Sequence, residues 1–221
     1  MKLAVEKLEA GYQGKTVVKD VSFTVEKGEF ISLIGPSGCG KSTVLKVLAG
    51  LLEPMAGTIM VDDAPLQGGS RHFSYMPQSD LLLDWYDILD NVCLYGKIHG
   101  KKKEAQQQAL ENLKEFGLAG YEHAYPSQLS GGMRQRAAFL RTALCDSDIL
   151  LLDEPFGALD VITREDMQDW LNRMRQRLDR TTLLVTHDID EAIYLSDRIL
   201  ILGQRPATIT RIVDVRHPHK D

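Results

Sequence analysis

Apolar residues fall into short runs along this chain, and most of the runs have the length and composition of β-strands. Strands are predicted at 3–8, 16–25, 30–34, 58–61, 73–76, 148–153, 181–186, 199–202 and 209–215. Lys19-Asp20 interrupts the second of them, and we expect an irregularity there. The run from Ile149 to Leu152 is apolar without a break, which is typical of a parallel strand covered on both faces in an α/β protein.

Helical periodicity replaces the strand pattern between Ser79 and about Cys145. A helix is also predicted at 45–52, ended by Pro54 and Gly57, and another at 163–178. One face of the inserted segment carries Ala105, Ala109 or Leu110, Leu113 and Phe116. The last helix has an apolar face that we assign to the core, formed by Met167, Trp170, Leu171, Met174 and Leu178.

Composition then limits the class of protein. The 221 residues are 43% hydrophobic, enough for one large domain, and the net charge of −5 gives no reason to expect a nucleic-acid partner. The three cysteines show no C-x-x-C spacing, so we expect neither disulfides nor a zinc site. The sequence shows no signal peptide and no apolar stretch near the roughly 20 residues of a membrane span. We therefore expect a cytosolic protein that reaches a membrane only through a partner.

The strongest candidate for chemistry follows the predicted strand 30–34. The nine residues fit G-x-x-x-x-G-K-[ST], the phosphate-binding P-loop, and are Gly35, Pro36, Ser37, Gly38, Cys39, Gly40, Lys41, Ser42 and Thr43. The strand before and the helix after supply the context that the motif requires. The backbone N–H groups and the helix N-terminus would hold the phosphates of a nucleotide. Lys41 is predicted to reach the β- and γ-phosphates, and the Ser42 hydroxyl to bind Mg²⁺.

A second candidate stands at the end of the predicted strand 148–153. Ligands of parallel sheets bind at the carboxyl ends of the strands, where Asp153 and Glu154 lie. Asp153 fits the acid that helps hold Mg²⁺. Glu154 is then placed to orient or deprotonate an attacking water. The alternative is a pair of acids that merely ends a strand.

Four further positions have two interpretations each. Tyr12 either stacks on an adenine ring or covers a strand edge, and Gln78 either binds Mg²⁺ or a water or is a turn residue. Ser130-Gly131-Gly132 is either a second anion-binding helix start or a simple N-cap. His187 either contacts a γ-phosphate or is a buried structural histidine.

The order of these features resembles the ATP-binding cassette family of transporter ATPases over essentially the whole chain. The resemblance rests on Tyr12, the P-loop, Gln78, Leu129-Ser130-Gly131-Gly132, Asp153-Glu154, Ala158-Leu159-Asp160 and His187. It implies a P-loop NTPase core with a mostly parallel sheet, an N-terminal antiparallel β subdomain and an inserted α-helical subdomain. We accordingly predict one domain over 1–221, in which 1–78 and 146–221 form the nucleotide-binding core and 79–145 the helical subdomain.

The resemblance also implies a mechanism. Two copies would pack head-to-tail and sandwich two ATP molecules, each between the P-loop of one copy and Ser130-Gly131-Gly132 of the other. Glu154 would be the general base, His187 the γ-phosphate contact, and Asp160 would communicate across the dimer. ATP-driven closure and hydrolysis would be passed to a membrane permease near Gln78, on the cytoplasmic face of the membrane.

A finer resemblance is to the nitrate, sulfonate and taurine group of bacterial importers, which also includes importers of thiamine-pyrimidine precursors. It rests on Met133, the segment from Leu81 to Trp85, and Arg205-Pro206. Asp84 and Ala207 depart from the pattern, since Pro and Gly are usual there. The solute, delivered by an extracytoplasmic binding protein, stays open. Exposed apolar residues between Leu81 and Trp85 would mark the permease contact, unless Trp85 packs the core of the helical subdomain.

Other classes fit less well. DNA-repair cassettes usually carry long coiled-coil or zinc insertions, and ribosomal cassette proteins carry two cassettes in tandem, whereas this sequence has neither. A P-loop kinase or GTPase is disfavoured by the Leu129 to Gly132 signature and by the lack of an Asn-Lys-x-Asp motif.

Overall fold

The computed structural model describes residues 1–66, 71–157, 159–178 and 180–215, with the side chains of 176–178 left aside. The chain divides into two compact units. The first comprises Met1–Tyr75, Ser147–Glu154 and Leu171–Asp221, and the second comprises Met76–Asp146 and Pro155–Trp170. Ala158, part of the sequence resemblance, lies outside the described residues.

Two sheets are present. The strands are β1 Leu3–Tyr12, β2 Lys15–Val25, β3 Phe30–Ile34, β4 Ala56–Val61, β5 Ala64–Pro65, β6 Phe73–Met76, β7 Ile149–Asp153, β8 Thr181–Val185, β9 Arg198–Leu202 and β10 Ile209–Asp214. An antiparallel sheet has the order β2-β1-β4-β5, and a larger sheet has the order β10-β9-β3-β8-β7-β6. In the larger sheet β9, β3, β8 and β7 are parallel, while β10 runs antiparallel to β9. The predicted mostly parallel sheet and separate antiparallel sheet are therefore both observed.

The helices lie in some of the connections between these strands. They are α1 Lys41–Leu48, α2 Ile88–Val92, α3 Leu94–Ile98, α4 Lys102–Leu113, α5 Gly131–Ala143, α6 Val161–Leu178 and α7 Ile189–Leu195, with a 3₁₀ turn at Pro126–Gln128. Among the described residues, no helix is both long and apolar enough to cross a membrane.

The core of the first unit explains why its strands form. All five residues of β7 and of β3 are buried, as expected for strands covered on both faces. Val44, Leu45 and Leu48 of α1 are fully buried in the same cluster as residues of both sheets. This burial fixes α1 at the end of β3, and hence the loop between them.

The second unit has its own core. Trp170 packs edge to face against two phenylalanine rings. The ring centroids are 4.8 Å apart for Phe116–Trp170 and 5.2 Å apart for Phe139–Trp170. The Trp170 indole N–H donates to the carbonyl of Glu115 at 3.3 Å, so its polar atom is satisfied.

Local predictions had mixed outcomes: the end of α1 and the place of Tyr12 were wrong, while the apolar face through Ala109 and the irregularity at Lys19-Asp20 were confirmed. Helix α1 ends at Leu48 instead of 52, because Gly50 takes a left-handed conformation with φ of 71°. Leu110 is 52% exposed, whereas Ala109 is fully buried. Strand β1 extends to Tyr12, which therefore ends a strand and pairs with Lys15 instead of lying in the turn. The irregularity expected at Lys19-Asp20 is present as a register shift between the Leu8–Val21 and Ala10–Val18 pairs.

Candidate active site

The carboxyl ends of three neighbouring strands bring the predicted catalytic groups together. In the parallel ladder Leu33 of β3 pairs with Val185 of β8, which pairs with Asp153 of β7. The P-loop therefore leaves β3 at the same edge of the sheet where β7 ends in Asp153. His187 follows β8 by two residues at that edge. Strand register thus brings these predicted residues to one edge of the sheet.

The P-loop backbone is tightly curled at two glycines. Gly40, the N-cap of α1, has φ of 128°, and a Cβ there would lie 2.6 Å from Val18 Cγ1. A Cβ on Gly35 would lie 2.8 Å from the carbonyl oxygen of Leu202. Only glycine fits these two positions, where the chain curls tightly into α1.

Lys41 is held over this loop. Its side chain is buried, and Nζ donates to the carbonyls of Gly35 at 2.9 Å and Pro36 at 3.2 Å. Because both acceptors belong to the loop, the ammonium stays close to the cradle formed by its backbone. The charge is therefore placed for a polyphosphate before any ligand arrives.

Asp153 links the P-loop to the end of β7. Its Oδ1 accepts a hydrogen bond from the Ser42 hydroxyl at 2.8 Å, and its Oδ2 accepts one from the Tyr75 hydroxyl at 2.9 Å. Asp153 is almost completely buried, so both bonds hold the carboxylate firmly. A hydroxyl and a carboxylate oxygen side by side beneath a phosphate cradle form a donor set that suits Mg²⁺.

Tyr75 is a site residue that sequence reasoning missed. Burial raises the pKa of Tyr75, and the negative charge of Asp153 raises it further. The phenol therefore stays protonated and remains a donor to Asp153. It lies in β6, at the edge of the same sheet as β7, and no motif in the sequence marks it.

Glu154 and His187 form a pair beside Asp153. His187 Nδ1 lies 3.3 Å from Glu154 Oε2. Glu154 has φ of 46°, and its N–H donates to Val185 O at 2.9 Å, which turns the chain sharply after the strand. The His187 side chain is 53% exposed, so the interpretation as a buried structural histidine was wrong.

The P-loop and Glu154 contribute to one pocket. It has a volume of about 230 Å³ and is lined by Tyr12, Val17, Gly38, Gly40, Lys41, Ser42, Thr43, Glu154 and Arg205. Tyr12 is 44% exposed at this pocket, where an aromatic face is available to a ligand. Arg205 was noted in the sequence only as part of a turn.

The remaining predicted residues belong to the second unit. Ser130 caps α5, its hydroxyl accepting from Met133 N at 3.3 Å, and the anion-binding interpretation of the same residues stays a prediction. Gly131 and Gly132 open that helix, and a Cβ on Gly132 would lie 2.5 Å from Thr163 Cγ2. Gln78 is exposed after β6.

Asp160 accepts hydrogen bonds from Thr163 N at 3.1 Å and from Thr163 Oγ1 at 2.7 Å. These bonds lower the pKa of Asp160, which stays ionised at the start of α6.

Three further side chains of the first unit lie close enough together to bind a metal, but their contacts satisfy them without one. Asp62, His72 and Asp148 have ligand atoms within 4.8 Å of one another. Lys2 Nζ donates to Asp62 at 2.7 Å and to Asp148 at 2.9 Å, which places a cation between the two acids. The hydrogen bond from Lys2 is the main cause that lowers the pKa of Asp148. This cluster is an ion-pair network that joins β1 to the start of β7.

Comparison with known proteins agrees with this geometry. Residues 18–157 match the family model described as ABC transporter. The aliphatic sulfonates import ATP-binding protein SsuB 1 of Rhodococcus jostii is 50% identical over 208 residues, covering 94% of this chain and 80% of that protein. The formylaminopyrimidine import ATP-binding protein ThiZ of Halalkalibacterium halodurans is 47% identical, covering 92% of this chain and 80% of that protein.

Two further proteins are similar to this chain, and the structure of the second has been solved in two states. The taurine import ATP-binding protein TauB of Yersinia pestis is 43% identical, covering 94% of this chain and 82% of that protein. A bacterial ABC transporter cassette solved as a dimer has a TM-score of 0.81 at 29% identity, covering 97% of this chain and 99% of the other. The same cassette in a post-hydrolysis state, bound to ADP and Pi, gives a TM-score of 0.80.

Proposed function

Because the chain belongs to the ABC transporter family, we propose that it is the ATP-binding and ATP-hydrolysing subunit of a bacterial importer. It is an ATPase, and solute would cross the membrane through separate permease subunits. The observation that carries the proposal is the Ser42–Asp153 hydrogen bond beneath the P-loop, with Glu154 next along the chain.

Binding of ATP rests on the first unit. The P-loop N–H groups and Lys41 would hold the β- and γ-phosphates, and Tyr12 would stack on the adenine ring. Ser42 and Asp153 would hold Mg²⁺, with Tyr75 orienting the carboxylate and Gln78 proposed as a further ligand. Bound Mg²⁺ would neutralise charge that develops on the phosphates.

Hydrolysis rests on Glu154 and His187. Glu154 would accept a proton from the attacking water, whose oxygen forms a bond to the γ-phosphorus while the bond to the ADP oxygen breaks. The short distance between His187 and Glu154 supports a shared role, in which His187 contacts the γ-phosphate and fixes the carboxylate.

A second copy would complete the site. We propose that Ser130-Gly131-Gly132 of a partner meets the γ-phosphate, because these residues open helix α5 and the N-terminus of a helix attracts anions. The similarity to cassettes solved as dimers supports this arrangement. Asp160 at the start of α6 would then communicate across the dimer.

A permease contact is supported by the loop from Asp80 to Asp87 of the second unit. Leu81 is 59% exposed and Trp85 is 71% exposed, so the interpretation of Trp85 as a core residue was wrong. Arg141 nevertheless donates to the carbonyls of Asp80 and Leu81, and Arg134 donates to Asp80 Oδ2 at 3.1 Å. An exposed apolar surface on a fixed loop is typical of a binding site for a protein partner.

The solute class follows from the relatives. Relatives named for import of sulfonates, taurine and formylaminopyrimidine support a small polar solute of the same group, or nitrate, delivered by a binding protein outside the membrane. The chain itself would bind ATP and no nucleic acid, on the cytoplasmic face of the membrane.

The test is ATP hydrolysis by the purified chain, measured as phosphate release with and without Mg²⁺. Asp153→Asn should lower the rate by about 10² or more, because the amide cannot replace the charge that holds the metal. Asp166→Asn, an exposed change on α6, is the matched control and should keep the wild-type rate. Wild-type protein that releases no phosphate from ATP under any Mg²⁺ concentration would contradict the proposal.

A further inference from the structure

Arg205 lines the nucleotide pocket, but none of the roles proposed above for the P-loop, Glu154 and His187 involves it. It lies in the loop between β9 and β10, far along the chain from Tyr12, Val17 and the P-loop residues that share the pocket. Its side chain is exposed, as is that of Tyr12, so both are accessible to a ligand at the rim.

The backbone on both sides of Arg205 is fixed. The loop is closed by a hydrogen bond from Gly203 N to Thr208 O at 2.9 Å. Ala207 is fully buried, and its N–H donates to Val17 O at 2.8 Å while its carbonyl accepts from Lys19 N at 2.9 Å. Arg205 is therefore carried by a loop that is attached directly to β2.

This attachment places the Arg205 loop on the β2 side of the pocket. The P-loop, Ser42 and Glu154 define the phosphate end. Val17 of β2 and Tyr12 of β1 lie on the strands of the antiparallel sheet, and Arg205 is two residues from the alanine bonded to Val17. Val17 also borders the P-loop, since a Cβ on Gly40 would lie 2.9 Å from Val17 Cγ1, and Arg205 shares the pocket with Tyr12, the predicted adenine contact.

We propose that Arg205 is a nucleobase-binding residue, whose guanidinium packs against the adenine ring that Tyr12 also contacts. The inference rests on the proposed function, since it needs ATP in this pocket. A guanidinium is planar and weakly hydrated, so it stacks on aromatic faces, whereas a lysine ammonium presents only a point charge. The residue type fits a base contact on a rigid support.

The experiment measures the Kd of ATP and ADP by calorimetry without Mg²⁺, so that hydrolysis does not interfere. Arg205→Ala should weaken both nucleotides by about three- to tenfold, the range of a partly exposed cation–π contact. The factor should be equal for ATP and ADP and should change little with salt, because the base is common to both and uncharged. Arg205→Lys should restore only part of the loss.

In hydrolysis assays Arg205→Ala should raise the KM for ATP and change kcat by less than about twofold. Arg211→Ala, an exposed arginine on β10 outside the pocket, is the matched control and should keep the wild-type Kd. Equal melting temperatures of the ligand-free variants would show that the Kd change is not a folding defect.

Three outcomes would separate the explanations. An unchanged Kd in Arg205→Ala, with wild-type protein binding and hydrolysing ATP, overturns the inference and leaves the proposed function standing. A loss that is larger for ATP than for ADP and disappears at high salt assigns Arg205 to the phosphates and overturns the base contact. Wild-type protein that does not bind ATP removes the proposed function itself.

Discussion

A single carboxylate, Asp153, receives hydrogen bonds from two hydroxyls of different origin. Ser42 comes from the P-loop, where a motif identifies it, and Tyr75 comes from β6, where nothing in the sequence marks it. The two bonds use different oxygens, so a metal held by Ser42 and Asp153 would depend on Tyr75 for the orientation of the carboxylate. Such indirect partners typically change metal affinity by about 10–100-fold.

Tyr75→Phe tests this dependence. The ring remains and the donor is lost, so we expect the Mg²⁺ concentration for half-maximal hydrolysis to rise by about tenfold. Because the raised pKa keeps Tyr75 neutral, the difference should not vary with pH across the neutral range. Mg²⁺ titrations of the ATPase rate measure the effect. Tyr95→Phe, which removes a hydroxyl from a ring stacked on His99, is the control, and an unchanged Mg²⁺ requirement in Tyr75→Phe would argue against the orienting role.

Glu154→Gln tests the general base. The amide keeps the size of the side chain but accepts no proton, so the hydrolysis rate should fall by about 10²–10⁴ while the Kd of ATP changes little. Single-turnover phosphate release and nucleotide binding on the same preparation separate the two effects. Glu165→Gln on the exposed side of α6 should behave as wild type, and near-normal turnover in Glu154→Gln would rule out the assignment.

The positions of candidate site residues could be predicted from sequence where a motif or a strand end marks them. The P-loop residues, Asp153 and Glu154 follow elements whose apolar pattern is unambiguous. Tyr75 and Arg205 were not predicted, because their proximity to the site depends on which strands become neighbours. The roles of the predicted residues in ATP chemistry stay predictions until they are measured.

At the scale of elements, buried strands were the easiest to predict. The unbroken apolar run gives β7, which is buried along its whole length. Strand β1 was predicted too short, because Lys7 has φ of 47° and register shifts between Val5 and Ala10 break the alternation. Some residues near the end of this strand are small, so they show no clear alternation of apolar and polar side chains.

The loop from Asp80 to Asp87 is an element without regular structure, and its support is specific. Asn91 is fully buried. Its Oδ1 accepts from Leu83 N at 2.7 Å, and its Nδ2 lies 3.0–3.1 Å from the carbonyls of Leu83, Tyr86 and Asp87. The stability of the loop should therefore depend on Asn91 of α2, and partner binding on exposed residues of the loop itself.

We expect Asn91→Ala to lower the free energy of unfolding by about 1–3 kcal/mol, because buried loop carbonyls lose their donor. Trp85→Ala should stay within about 0.5 kcal/mol, since its side chain is exposed, yet it should reduce co-purification with the permease sharply. Thermal melts and a pull-down on both variants make the comparison. Marked destabilisation by Trp85→Ala, with permease binding retained, would contradict the docking role.

At the scale of the whole molecule, the sequence resemblance predicted the family correctly, and the α/β class with two kinds of sheet is confirmed. The predicted domain boundaries stay a prediction. Residues of the first unit meet at one edge of a sheet because strand register brings them there. Ser130 and Asp160 have local partners in the second unit, and we propose that a second copy brings their counterparts to ATP.

ATP-dependent dimerisation is therefore the prediction on which the complete site depends. In the Glu154→Gln background, sedimentation should show a monomer without nucleotide and a dimer with ATP, because the γ-phosphate would bridge the P-loop of one copy and the start of α5 of the other. Gly131→Ala is the discriminating variant: a Cβ there meets only Leu159 Cδ2 at 3.6 Å, ordinary contact within the subunit, so folding and ATP binding to the P-loop should persist. Dimerisation should weaken, since the added methyl group would face the partner's nucleotide. Gly132→Ala is unsuitable, because its Cβ would clash with Thr163 inside the same chain. A monomer at saturating ATP in the Glu154→Gln protein, or a dimer unaffected by Gly131→Ala, would count against the shared site.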